Sequence, residues 1–409
     1  MPSTVAAHDA EANDAMRKLA RKRTGALEYI LNLTGMIYQY KEHEGFVRTL
    51  RKARAAFLVI IVTLHLVYGT SYVFLYGGGT LERSVVILCW LFQSLCSMLF
   101  ILYWQVRGDI AMLIFILPWA DLPAAYRKRL LMTVVLYGCL LAVILANTVL
   151  LIIFSALNPG QTLINPKTIT PFTGWPRFLS YVVIVYSFAT WAAVLTMYSV
   201  VLSTITEEID AIKSEIDKIG HHTTDRSKSI EDLLNLSDRH AHLCKILNET
   251  NRIFEIYNFV MIGTNIPTTI FTMLNGHHSL YSGDTMRIMS SALELTFCIV
   301  EMTALTMMPA KVSSQLSHLE QAIFNNRQLW RPYDVSIYTI VQSLLQQNRQ
   351  SGLGITVWGF AIVSKSLVLT TISLVLTYLT LLIQLTESAD QSGDIFKQFW
   401  NNSLYEHDD

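Results

Sequence analysis

Six polar residues near the end of the chain, Ser366, Thr370, Ser373, Thr377, Thr380 and Gln384, recur at spacings of four, three, four, three and four in an otherwise apolar run. At about 100° per residue on an α-helix they fall within roughly 40° of a single line. Only Thr371 and Tyr378 are polar elsewhere between 366 and 385, and the opposite face is Leu, Val and Ile. Hydroxyls and an amide at that depth need water or partners, because lipid supplies neither. A ring of such helices meets the need by turning the stripes toward a wet axis. Hydroxyl linings pass hydrated ions without holding one tightly, which favours weak selectivity. Glu387 and Asp390 follow just beyond, and copies of them around an axis would form acidic rings that attract cations. Small hydroxyl residues also let helices pack closely. That accounts for any one of the six more easily than for all of them in register.

The chain that must position this stripe has 409 residues, 52% of them hydrophobic and only 15% charged, with mean hydropathy +0.38 and formal net charge zero. Ordinary soluble domains carry about a quarter charged residues. Runs long enough to cross ~30 Å of hydrocarbon lie at 55–76, 85–103, 130–157, 178–205, 257–274, 286–308 and 354–385. The reading is an all-α, multi-pass membrane protein with seven spans, placed in the plasma membrane. Zero net charge gives no ground for nucleic-acid binding. The first 26 residues are polar, carry five Lys/Arg and lack an apolar core, unlike a signal peptide. Cys89, Cys96, Cys139 and Cys298 sit in apolar runs and Cys244 in a charged block, so no structural disulfide is expected. His65 reads as a satisfied interior histidine, and His277 and His278 lack convincing metal partners, so neither metal nor cofactor is expected.

Charge asymmetry orients the spans. With the amino end inside, the inside segments hold 25 Lys/Arg and the outside segments five. The positive-inside rule therefore predicts a cytosolic amino end and an extracellular carboxyl end. The inside segments also keep helical order. Leu233, Leu236, His240, Leu243 and Leu247 recur three or four apart, as do Val312, Leu316, Leu319 and Ile323, and then Ile337, Val341, Leu344 and Leu345. Such narrow seams on polar helices pack against one another, not into lipid. The expected division is a cytosolic segment 1–54, spans one to four at 55–205, cytosolic helix extensions 206–256, spans five and six at 257–308, cytosolic anchor helices 309–353, a pore-lining span 354–385 and an extracellular tail 386–409. On the sixth span, Glu294 and Glu301 are seven apart and share a face, and a carboxylate inside the membrane points to function or to a hydrogen-bonded partner. Asn401 begins an Asn-Asn-Ser stretch on the outside and is a glycosylation candidate.

The stretch "TYLTLLIQL" (Thr377–Leu385) resembles the last-helix signature of the insect-type gustatory and odorant receptor superfamily: Thr-Tyr, five apolar residues, Gln, then Phe or Leu. Thr377, Tyr378, Gln384 and Leu385 carry it. "GFAIVSKSL" (Gly359–Leu367) resembles the segment before it through Gly359, Phe360 and Leu367, although Ser364 stands where an acidic or amide residue is common. The resemblance implies a ligand-gated, non-selective cation channel. It implies a homotetramer, with heteromers of related subunits also open. It places Gln384 and Leu381 at the narrow part of the pore. It also implies a small-molecule ligand bound among spans two to six in the outer leaflet. Candidates there are Trp90, Asn147, Tyr181, Tyr186, Thr268, Thr272 and Glu294, with Gln93, Trp191 and Thr264 nearby. Packing alone also accounts for each aromatic.

Other functions are open on the same residues. Light or peroxide could be the stimulus within the superfamily. Lys365 in the last span would suit a retinal Schiff base, but lies about 30 Å from the outer end of the helix. A G-protein-coupled receptor is opposed by the predicted topology, and a secondary transporter by the lack of inverted repeats. No nucleophile–base pair or metal-ligand spacing suggests an enzyme.

Overall fold

A computed structural model describes residues 31, 34–36, 45–76, 81–116, 123–157, 177–219, 226–283, 285–331, 333–350 and 353–405. Almost all of these are helical. The helices are α1 (Gly45–Tyr76), α2 (Leu81–Arg107), α3 (Asp109–Ile116), α4 (Pro123–Leu157), α5 (Arg177–Lys218), α6 (Arg226–Ser282), α7 (Thr285–Met302), α8 (Met308–Asn325), α9 (Arg327–Trp330), α10 (Val335–Gln350) and α11 (Lys365–Tyr405). Among the described residues, six helical stretches are long and apolar enough to cross a membrane: one each in α1, α2, α4, α5 and α11, and one running from α7 into α8. The span expected at 257–274 lies in α6 and is more polar than these. Its Asn258, Asn265, Thr268 and Thr272 are buried, with α2 and α7 packed along the helix. A helix clothed by its neighbours needs no apolar surface all round.

Several rods are longer than the bilayer is thick. At 1.5 Å per residue, α5 is about 63 Å long, α6 about 85 Å, and the α7–α8 rod about 60 Å. The last is continuous because five residues, Thr303–Met307, form a π-helical turn between its halves. Pro309 explains the turn. It has no N–H for Leu305 and its ring would crowd that carbonyl, so the wider turn relieves the helix without breaking it. Between α2 and α3, Gly108 takes φ +77°, and Asp109 then receives Arg252 of α6 at 2.9 Å and Arg107 at 3.6 Å.

Beyond the apolar stretches, α5, α6, α8 and α10 pack into a polar-surfaced bundle. The seams Leu233, Leu236, His240, Leu243 and Leu247, then Val312, Leu316, Leu319 and Ile323, then Ile337, Val341, Leu344 and Leu345 are all buried there. Arg239 clamps Glu208 and Glu215, each at 2.5 Å, joining α6 to α5. Asp334 caps α10, accepting from Ser336 N at 2.9 Å and Ile337 N at 3.4 Å, which is why the helix begins just after "RPYD". Burial pushes the imidazole of His240 below its usual value of 6.5, against a smaller opposing effect from the Gln347 amide. An unfolded His240 therefore takes its proton before the folded one. The bundle's stability is full above about pH 6.5 and falls as the pH drops below it. Thermal unfolding of the purified protein from about pH 8 to about pH 5 should show that loss, and His240→Gln should flatten it.

Two expectations about the last span are corrected. Residues 354–364 are not helix. Thr356–Val357 (β1) and Ala361–Ile362 (β2) pair antiparallel, around a turn in which Trp358 and Gly359 both take positive φ, 48° and 71°. Phe360 N closes it on Val357 O at 3.0 Å. That is the primed turn that a tight hairpin demands, and β-branched and aromatic residues flank it. Asn251 of α6 accepts from Thr356 N at 2.6 Å and from its hydroxyl at 3.0 Å, and Ser313 of α8 donates to Val363 O at 3.1 Å. The hairpin thus fixes where α11 starts. At the other end α11 runs past Leu385 to Tyr405, so the segment expected as a tail is helical in its first twenty residues. All five cysteines carry free thiols.

Candidate ligand cavity and pore face

A cavity of about 600 Å³, counting the part open at its mouth, lies between α2, α4, α5 and α7. Helical spacing builds its walls. From α4 come Val143, Ile144, Asn147, Thr148 and Leu151, and from α5 come Tyr181, Ile184, Phe188 and Trp191, each set one stripe. Ile87 and Trp90 of α2 and Leu293 and Phe297 of α7 complete it. Four rings form a cage at its core. Trp191 lies 4.7 Å from Phe297, Trp90 lies 5.6 Å from Phe297 and 5.7 Å from Phe188, and Phe188 lies 6.4 Å from Trp191. These are edge-on or tilted pairs that leave aromatic faces available. No charged side chain among the described residues lines the cavity.

Trp90, Asn147, Tyr181 and Trp191 of the expected ligand residues come together here. The others do not. Tyr186 points its hydroxyl at the carbonyl of Thr34. Thr34–Met36 is tucked into the bundle, with Gly35 O receiving Arg54 at 2.6 Å and Met36 O receiving Gln105 at 3.0 Å. Thr268 and Thr272 donate to carbonyls of their own helix at 2.7 and 2.8 Å, and α6 contributes nothing to the lining. Glu294 is buried beside the cavity. Ser290 lies between it and Asn147, at 3.3 Å from the carboxylate and 2.8 Å from the amide oxygen. Glu301 is fully buried and receives Asn265. Gln93 donates to Thr264 at 3.0 Å. Ile184, Phe188, Thr148, Leu293 and Phe297 were not expected. The three- and four-residue spacing from Tyr181 to Trp191 was the signal that would have found those on α5.

The polar face of α11 stands clear of its own subunit. Val368, Thr371 and Val375 are buried; α11 packs on α6, α8 and the π turn, and Val368 packs against Ala310 of α8. Ser366, Thr370, Ser373, Thr377, Thr380 and Gln384 are exposed, as is Leu381. On the wheel, the buried residues centre about 170° from the stripe. Thr370, Thr377 and Thr380 donate their hydroxyl protons to the carbonyls of Ser366, Ser373 and Leu376 at 3.0, 2.8 and 2.9 Å. Each hydroxyl has then used its one proton, and its oxygen is left to accept. Lys365 is the first residue of α11 and exposed, far from the cavity. Glu387, Asp390 and Asn401 lie on the helical backbone of α11, and their side chains lie outside the described ones. His65 is held between Ile61 O at 3.0 Å and Ser180 Oγ at 3.3 Å.

Long membrane helices, an uncharged cavity among four of them and a polar-faced last helix define a multi-pass membrane receptor. The family model for 7tm chemosensory receptors matches residues 29–387, and the chain belongs to that family, whose place is the plasma membrane. The fold is similar to that of the insect olfactory receptor OR5 from Machilis hrabei, with TM-score 0.72, 13% identity, and 90% of this chain covering 99% of that one. The same receptor in complex with eugenol matches with TM-score 0.73 at the same identity and coverage. No curated protein sequence matches the chain.

Proposed function

We infer that the protein is a ligand-gated, weakly selective cation channel and not an enzyme. A small molecule bound in the cavity opens a pore lined by α11. The observation that carries this reading is the polar stripe on the face of α11 opposite the one it buries. Only copies of the same helix around an axis give six such side chains a common wet environment. Four copies are the arrangement the family resemblance favours, with related subunits as an alternative source of some of them. Back-bonded threonines present oxygens, not protons, to that axis, so the lining suits cations. Leu381, about 60° from the stripe's centre, is placed to act as an apolar gate beside Gln384, with Glu387 and Asp390 at the outer mouth. The polar bundle is the cytosolic anchor, the amino end is cytosolic, and Asn401 is then reachable for glycosylation. That an olfactory receptor of the same fold holds eugenol supports a small organic ligand here.

Expression in a heterologous cell without added G-protein tests this. Stimulus-evoked cation current is expected, together with a carboxyl-terminal tag that antibody reaches on intact cells. A tag reached only after permeabilisation would overturn the orientation. Signalling that needs G-protein would overturn the channel.

A further inference from the structure

The aromatic cage has a chemical bias that its apolar character conceals. Trp90 and Trp191 both line the cavity and are 5% and 1% exposed, and neither indole Nε1 has a hydrogen-bond partner among the described residues. An indole nitrogen can only donate. Burying such a donor unpaired is costly, and native structures seldom tolerate it without a reason. The other polar groups on the wall do not supply the missing acceptor. The amide oxygen of Asn147 already accepts from Ser290 at 2.8 Å. The hydroxyl of Thr148 donates to the Ile144 carbonyl of its own helix at 2.8 Å, and its oxygen bonds neither indole. Two residues of one uncharged, largely aromatic wall therefore each hold an unpaired buried donor.

We propose that this cavity selects neutral, ring-sized molecules carrying a hydrogen-bond acceptor such as a carbonyl or ether oxygen, and that the indole N–H groups of Trp191 and Trp90 read that acceptor. Hydrocarbons of the same shape fill the space but leave both donors unpaired. Charged molecules are rejected because no counter-charge lines the wall. The proposal rests on the cavity being the ligand site, and it names the chemistry of that site.

Acetophenone and α-methylstyrene test it, because they differ only in C=O against C=CH2. Their dissociation constants would be measured on the purified full-length protein by thermal stabilisation, corrected for partition into detergent. Acetophenone is expected to bind about tenfold tighter, the size of one hydrogen bond to an otherwise orphaned donor. Trp191→Phe and Trp90→Phe keep a ring and remove the N–H, so together they should erase the difference while leaving α-methylstyrene binding in place. Equal binding of the two probes to the unmodified protein would overturn the donor role and leave the cavity as a ligand site. Binding of both probes that survives Val143→Trp, which fills the cavity, would overturn the cavity as the ligand site, and the inference with it. So would failure of acetophenone to bind.

Discussion

Thr377→Val is expected to reduce single-channel conductance tenfold or more while leaving the protein folded. Valine has threonine's shape and branching, and the position is exposed within the subunit, so the helix loses only a hydroxyl. That hydroxyl is back-bonded to Ser373 O at 2.8 Å, which fixes its oxygen as an acceptor facing away from α6. In the proposed four-fold ring, its loss takes four acceptors from the water around a passing cation. At about 0.5–1.5 kcal/mol each, the barrier rises by about 2 kcal/mol or more, and about 1.4 kcal/mol is already tenfold in rate. Thr371→Val is the control. Thr371 makes the same kind of bond, to Leu367 O at 2.9 Å, but it is buried on the opposite face, so conductance should not change. Single-channel recording of both variants decides the matter. If Thr377→Val conducts like the unmodified channel, or Thr371→Val is the one that fails, α11 does not line the pore with this stripe.

Trp104→Ala should have the largest effect on stability. Trp104 is almost wholly buried between α2 and α6, with ring centres 5.0 Å from Phe254, 5.6 Å from Phe100 and 5.7 Å from Tyr257. Its indole donates to Ile253 O at 3.1 Å. The cluster sits where the apolar helices give way to the polar bundle, so it ties one to the other. Truncation leaves a cavity that these rings cannot close, at about 3–5 kcal/mol, out of a typical net stability of only about 5–15 kcal/mol. Little protein is expected to reach the cell surface, and what is purified should melt at markedly lower temperature. Trp104→Phe retains a ring among these neighbours and loses mainly the N–H, at about 1 kcal/mol, and should fall between. A Trp104→Ala protein as stable as the unmodified one would show that this cluster does not hold the two regions together.

Much of this architecture was legible in the residues. Charge-free runs marked the membrane helices because lipid penalises charge wherever it falls in the chain. The seams from Leu233 to Leu247 and from Val312 to Ile323 marked the bundle because a helix repeats its inner face every three or four residues. The stripe on α11 was legible for the same reason. The hairpin at 356–362 was not, because a short apolar stretch reads alike as strand or helix. What decided it was a turn that needs positive φ at Trp358 and Gly359, and an anchor, Asn251, that lies more than a hundred residues away.

The ligand candidates divide along the same line. Trp90, Asn147 and Tyr181 line one cavity from three helices, whereas Tyr186, Thr268 and Thr272 are committed to the backbone and Glu294 lies behind Ser290. Residue type and helical phase say which side chains face inward. They do not say which inward faces meet. By itself, then, the sequence determined the helices, their buried faces and the polar line along the last of them, since these follow from local periodicity and the solvent's preference. Only the tertiary structure decided which stripes enclose a cavity and which indoles lack a partner, because that depends on how four distant helices cross.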